Sequence, residues 1–223
     1  RGHTVAAFTG GFKRHHGAFK YGRFAQEHHG SHYGFVESGV TLSRLLPGLA
    51  TLLVRTNGQV EMKTWVPADD ATLDTVHHAR QNGVALVEPG GPDGAPVPGA
   101  LVAKWGPGNW SGSHDSQLRT MRAGACLQES AAARFLIYAV FTSATPRALA
   151  HVFQAYGCRY AMQLDMNALE HTYAAVYDPE GSKPIQHLIE GMGEVDKVVA
   201  GKPLRRFVDY PDNRDFFYLT LRR

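Results

Sequence analysis

Ala50-Thr51-Leu52-Leu53-Val54-Arg55-Thr56 and Gln59-Val60-Glu61-Met62-Lys63-Thr64-Trp65 stand either side of Asn57-Gly58. Two β-branched, apolar runs around Asn-Gly predict a β-hairpin closed by a two-residue type I′ turn, since both residue types tolerate positive φ. Downstream, Leu73, Val76, Ala79 and Arg80 recur at helical spacing, with Asp69 or Asp70 to cap and Gly83 to terminate. That spacing predicts a helix over 70–82. Val84-Ala85-Leu86-Val87 then reads as a strand, and 88–99, with four glycines and four prolines, as a loop. A second loop, 106–117, is rich in Gly, Ser, Asn and Trp.

Residues 119–127 and 133–141 predict an antiparallel pair turning at Glu129-Ser130. Thr145 as N-cap and Pro146 at the first helical position open a helix, with Leu149, Val152, Phe153 and Tyr156 as its apolar face and Gly157 as its stop. A strand follows up to Asp165, with 168–177 as its expected partner, a turn at Asp178-Pro179-Glu180-Gly181, and a last strand over 216–221. Strands outnumber helices. The expectation is an α+β fold, a single domain over 1–223 with a mixed, mostly antiparallel sheet packed by a few helices.

The formal charge of +3, with basic residues scattered, argues against nucleic acid as a partner. No apolar run reaches the roughly 18 residues of a membrane-spanning helix. The chain opens at Arg1 inside a strand-like region, as an excised or mature domain would. Cys126 and Cys158 are too few for a disulfide framework, and their apolar surroundings predict two buried free thiols.

Two segments carry candidate chemistry. Ala6-Ala7-Phe8-Thr9-Gly10-Gly11-Phe12-Lys13 is an apolar strand ending in two glycines, which can turn sharply and expose backbone N–H groups to an anion. Tyr160-Ala161-Met162-Gln163-Leu164-Asp165-Met166-Asn167 ends in a carboxylate and a carboxamide aimed by a rigid strand. A glycine-lined pocket with one aimed acid suits a charged, hydroxyl-rich substrate.

In order and spacing these segments resemble the phosphodiester glycosidase family, which includes the mannose 6-phosphate uncovering enzyme and bacterial exopolysaccharide-associated relatives. Thr9-Gly10-Gly11-Phe12 stands where that family has Asn-Gly-Gly-Phe, followed by Lys13 and His16-Gly17. Arg80-Gln81-Asn82, Arg122-Ala123-Gly124-Ala125, Leu164-Asp165-Met166-Asn167 and Pro211-Asp212-Asn213-Arg214-Asp215-Phe216-Phe217 match further elements. The resemblance implies a secreted or periplasmic hydrolase acting on a sugar-1-phosphodiester or related glycan linkage. Asp165 and Arg122 would be catalytic, and Thr9, Gly10, Gly11, Phe12, His16 and Asn167 would bind substrate.

Glycosidases commonly use two carboxylates. Glu61, Asp115, Glu129 and Glu170 are open as the second. The chain departs from the family at Thr9, at Gln163 in place of Glu, and in an insertion over 23–39 rich in His and aromatics. Thr offers one hydroxyl where Asn offers a donor and an acceptor, which favours weaker turnover or a glycan-binding scaffold as the alternative. The 12 histidines include His15-His16, His28-His29, His77-His78 and His32, and raise a third reading as a metallohydrolase. Neighbours on a strand point oppositely, so each pair gives one ligand at best. No cofactor is predicted, and a divalent metal stays open.

Overall fold

The computed structural model describes residues 3–13, 34–104 and 117–221. Along the chain, β1 (Thr4–Lys13), β2 (Phe35–Glu37), β3 (Val40–Ser43), β4 (Ala50–Arg55) and β5 (Val60–Thr64) come first. A 3-10 helix (Pro67–Thr75) leads to β6 (Val76–Gln81), β7 (Ala85–Pro89) and β8 (Pro96–Pro98). Then follow β9 (Thr120–Glu129), β10 (Arg134–Ala144), helix α1 (Pro146–Ala155), β11 (Cys158–Met166) and β12 (Ala174–Val176). The chain ends with β13 (Gln186–His187), β14 (Val198–Val199), β15 (Lys202–Pro203) and β16 (Arg214–Thr220).

The strands form sheets in the orders β13-β12-β1-β16, β3-β2-β6-β4-β5, β10-β9-β11-β7-β8 and β14-β15. Every pairing between named strands is antiparallel. Among the described residues α1 is the only α-helix. The fold is therefore predominantly β, not the expected α+β arrangement with a few packing helices. The expected helix over 70–82 accounts for much of the difference. Its first half is a 3-10 helix, and its second half is β6, which lies between β2 and β4. Pairing on both edges overrides a weak helical periodicity.

The hairpin of β4 and β5 runs in register from Ala50 opposite Thr64 to Val54 opposite Val60. Its turn is not the expected two-residue type. Gly58 N–H donates to the Arg55 carbonyl at 2.9 Å and Arg55 N–H to the Gln59 carbonyl at 2.8 Å. Gly58 has φ +84 while Asn57 is not left-handed, so three residues form a turn closed by a left-handed glycine.

The α1 cap is as read: Thr145 Oγ1 accepts from Ala148 N–H at 3.2 Å. Its buried face differs. Leu149, Ala150 and Phe153 are buried while Val152 and Tyr156 are exposed. The segment after β11 does not return along β11. It turns at Asn167, with φ +85, and its strand β12 pairs with β1 in another sheet.

Phe8, Leu52, Met62, Leu127, Met162 and Leu164 form the core cluster where the three larger sheets meet. Behind β9 and β11, Leu149 and Phe153 of α1 pack on a second cluster containing Cys126 and Cys158. Those cysteines are not free thiols: they form a disulfide, with Cα atoms 5.8 Å apart. Register is the reason. β9 and β11 are neighbouring antiparallel strands, and Ala161 lies opposite Cys126 while Cys158 lies opposite Gln128. No helix among the described residues is long and apolar enough to cross a membrane.

Candidate functional site

Two strand irregularities build the site. In β1, Thr9 pairs with Phe216 and Lys13 with Arg214, so Gly10, Gly11 and Phe12 together face the single residue Asp215. In β11, Gln163 pairs with Gly124 but Met166 pairs with Arg122, which inserts one extra residue. Bulges of this kind re-aim side chains that a regular strand would place elsewhere. Here Met166 takes the place opposite Arg122, and Asp165 turns toward β16.

The glycines make the first bulge possible through close approach. A Cβ on Gly10 would lie 2.5 Å from Asp215 Oδ2. Gly11 has φ +142, and a Cβ there would lie 2.5 Å from Asn82 Nδ2 and 3.6 Å from the Leu164 carbonyl carbon. Gly10 and Gly11 thus form a floor on which Asp215 and Asn82 rest, with the Leu164-Asp165 backbone alongside.

Two buried ion pairs meet there. Asp165 Oδ2 accepts from Arg214 Nη1, and its Oδ1 accepts from Met166 N–H at 2.8 Å. Asp215 Oδ2 accepts from Arg80 Nε. All four side chains are at most 8% exposed. Burial pushes the Asp165 carboxyl up to about 7; Arg214 and the Met166 N–H oppose this, and the nearby Asp215 charge adds to it. With both acids ionised the four charges cancel, and protonating Asp165 leaves the quartet with one positive charge. Asp165 is thus placed to exchange a proton near neutrality.

His171 borders this group. Its Nδ1 donates to the Met166 carbonyl at 2.8 Å, and its Nε2 lies 2.9 Å from Glu170 Oε1. Burial lowers the imidazole's pKa, and Arg214 acts in the same direction. The His171 carbonyl accepts the Thr9 hydroxyl at 2.6 Å, and Thr9 is fully buried.

The sequence-derived candidates therefore separate. Gly10, Gly11 and Asp165 come together, and Thr9 adjoins them with its hydroxyl bonded to main chain. Phe12 lies in the β1 bulge. Asn167 sits at the exposed turn after β11, its Oδ1 accepting from Thr120 Oγ1 at 3.1 Å. Arg122 shares no partner with Asp165's carboxylate. Its guanidinium is fully buried, donates to the carbonyls of Ala144 at 2.8 Å and Leu118 at 2.9 Å, and reaches Gln163 Oε1 at 2.9 Å. Burial pushes it down to about 10.

Among the expected second acids, Glu61 is held by Arg55, Glu129 by Arg134 and Arg159, and Glu170 by His171. Asp115 and His16 lie outside the described residues, as do His15, His28, His29 and His32. Among the described residues no group of three or more His, Cys, Asp or Glu converges as a metal site would require. The acid beside Asp165 is Asp215. Asp215, Arg214, Arg80 and Asn82 were not among the site residues read from sequence. They belong to the quoted Arg80-Gln81-Asn82 and Pro211–Phe217 segments, which were the available signal.

No family model and no curated protein sequence matches the chain. Among solved structures, it is similar to the zebrafish N-acetylglucosamine-1-phosphodiester alpha-N-acetylglucosaminidase catalytic domain auto-inhibited by its pro-peptide. That likeness has a TM-score of 0.49 at 10% identity and covers 78% of this chain. The chain spans about half the length of that structure, 53%.

Proposed function

We propose that this chain is a hydrolase that cleaves a sugar-1-phosphodiester or related glycan linkage at the Gly10-Gly11 bulge. The observation that carries the reading is the meeting of two buried aspartates, each ion-paired with an arginine, where two strand bulges come together. The sequence resemblance, whose elements include all four residues, supports the substrate class.

In this reading the bond between the anomeric carbon and the phosphate oxygen breaks. Water adds to that carbon and gives its proton to the ionised Asp165 carboxylate, and the phosphate departs as an anion. A phosphate is a good leaving group, so it needs no protonation by the protein. Asp215 lends negative charge to the oxocarbenium-like transition state. Arg80 and Arg214 hold the two acids in place and cancel their charge, so an anionic phosphodiester meets no net repulsion from the pair.

A second reading, a glycan-binding or scaffold domain with weakened turnover, is favoured by Thr9, whose hydroxyl is bonded to main chain. The Cys126–Cys158 disulfide supports an oxidising, extracytoplasmic location.

Incubation with a panel of methyl sugar-1-phosphate diesters, scoring free reducing sugar, tests the hydrolase reading. The expected result is release by the wild type that Asp165→Asn and Asp215→Asn each abolish. Binding of the sugar phosphates without release would favour the scaffold reading, and neither binding nor release would refute both.

A further inference from the structure

Asn82 immediately follows β6, and its backbone N–H is fixed on the Ala50 carbonyl at 3.0 Å. It is 3% exposed. Its side-chain amide lies on Gly11, beside the Leu164-Asp165 backbone. Among the described residues its Nδ2 is buried and has no hydrogen-bond partner. A buried donor without an acceptor destabilises the folded chain, whereas an apolar side chain of similar shape would not. Its neighbours Arg80, Asp215, Arg214 and Asp165 are all engaged in ion pairs. Among the described residues the donor edge of the Asn82 carboxamide has no such engagement.

We propose that Asn82 is a specificity-determining residue that holds a hydroxyl of the substrate's sugar ring. This rests on the hydrolase reading of the same site. A carboxamide carries one donor edge and one acceptor edge, and a hydroxyl both donates and accepts. The match therefore holds for either orientation of the amide. A non-bridging phosphoryl oxygen only accepts, so it would meet the donor edge alone, whereas a hydroxyl can meet either edge. The hydroxyl completes Asn82's hydrogen bonding when substrate enters, and its absence from a substrate leaves the amide unpaired. A site of this construction discriminates against deoxy analogues.

The test compares the wild type, Asn82→Leu and Asn82→Asp on a methyl sugar-1-phosphate diester and its monodeoxy series. The expected wild-type result is a loss of about 10- to 100-fold in kcat/KM for one deoxy position. Asn82→Leu is expected to lose about as much on the parent substrate and to treat that deoxy analogue and the parent alike. Asn82→Asp, which keeps an acceptor, is expected to retain part of the discrimination. Equal wild-type kcat/KM across the deoxy series would overturn the assignment even if Asn82→Leu fails to fold. So would undiminished discrimination in a folded Asn82→Leu.

Should the wild type turn over nothing, the hydrolase reading fails, and the same comparison is made on binding of sugar 1-phosphates by calorimetry. Binding sensitive to one deoxy position and to Asn82→Leu would then sustain the Asn82 assignment. Binding insensitive to either, or no binding, overturns it.

Discussion

Replacing Gly11 by alanine perturbs the β1 bulge at the position where its geometry is least forgiving. Two costs add. The backbone φ of +142 is one that L side chains rarely adopt, and such conformations cost about 1–3 kcal/mol. The new methyl group would also stand 2.5 Å from Asn82 Nδ2. Ordinary contact lies near 3.5–4 Å, so the amide or the bulge must shift by about 1 Å in a buried setting, at about 1–3 kcal/mol. The expected loss is about 2–6 kcal/mol, or about 5–20 °C in Tm for a chain of this size.

Gly48→Ala is the matched control. Its φ is +86 but a Cβ there meets nothing within 4 Å, so only the backbone cost of about 1–2 kcal/mol applies. Denaturant unfolding of the two variants, with the double variant Gly11→Ala/Asn82→Ala, separates the contributions. Truncating Asn82 should recover about 1–3 kcal/mol in the Gly11→Ala background, a coupling visible only if the two residues touch. If Gly11→Ala were no more destabilised than Gly48→Ala, or if the cycle showed no coupling, the close packing of Asn82 on the glycine floor would be wrong.

Asp165 predicts a pH dependence of stability. Its folded pKa, about 7, lies above the unfolded value, so the protonated form favours folding. That contribution is present in full below about pH 4 and fades as pH rises to about 7; the difference in unfolding free energy between wild type and Asp165→Asn, followed over that window, should change in step, and a constant difference would refute it. Arg122→Met should cost about 3–6 kcal/mol, because three acceptors lose their donor at about 1–2 kcal/mol each, and a variant as stable as the parent in urea would show that the guanidinium is not a structural donor. Denatured, unreduced protein should contain no free thiols. Because the sequence separation is 32, reduction should lower stability by about 3–4 kcal/mol, seen as a drop of about 10 °C in Tm.

Local chemistry made several elements legible in the sequence. Thr145-Pro146 and Gly157 bracket α1 because capping, a preset φ and a left-handed stop act within a single turn. The strands flanking Asn57-Gly58 and the pair at Glu129-Ser130 were legible for the same reason, since turn residues and apolar runs are short-range signals. Asp165 and the two glycines could be singled out where apolar runs stop, although the glycines lie in a bulge inside β1 and not at its end.

What joined them was a matter of pairing. β6 is a strand because β2 and β4 flank it, whatever the helical spacing of its residues suggests. Cys126 and Cys158 bridge because of the register of β9 against β11. Arg122 and Asp165 lie on neighbouring strands and yet serve different surroundings, because one inserted residue in β11 separates them. Asp215 reaches Gly10 across 205 positions only through the β1–β16 ladder. Side-chain pattern along a chain reports which face is apolar, and it contains no term for a one-residue bulge or for the partner across a ladder. Those are decided when the strands pair, and in this protein they decide which acids, arginines and amide share a site.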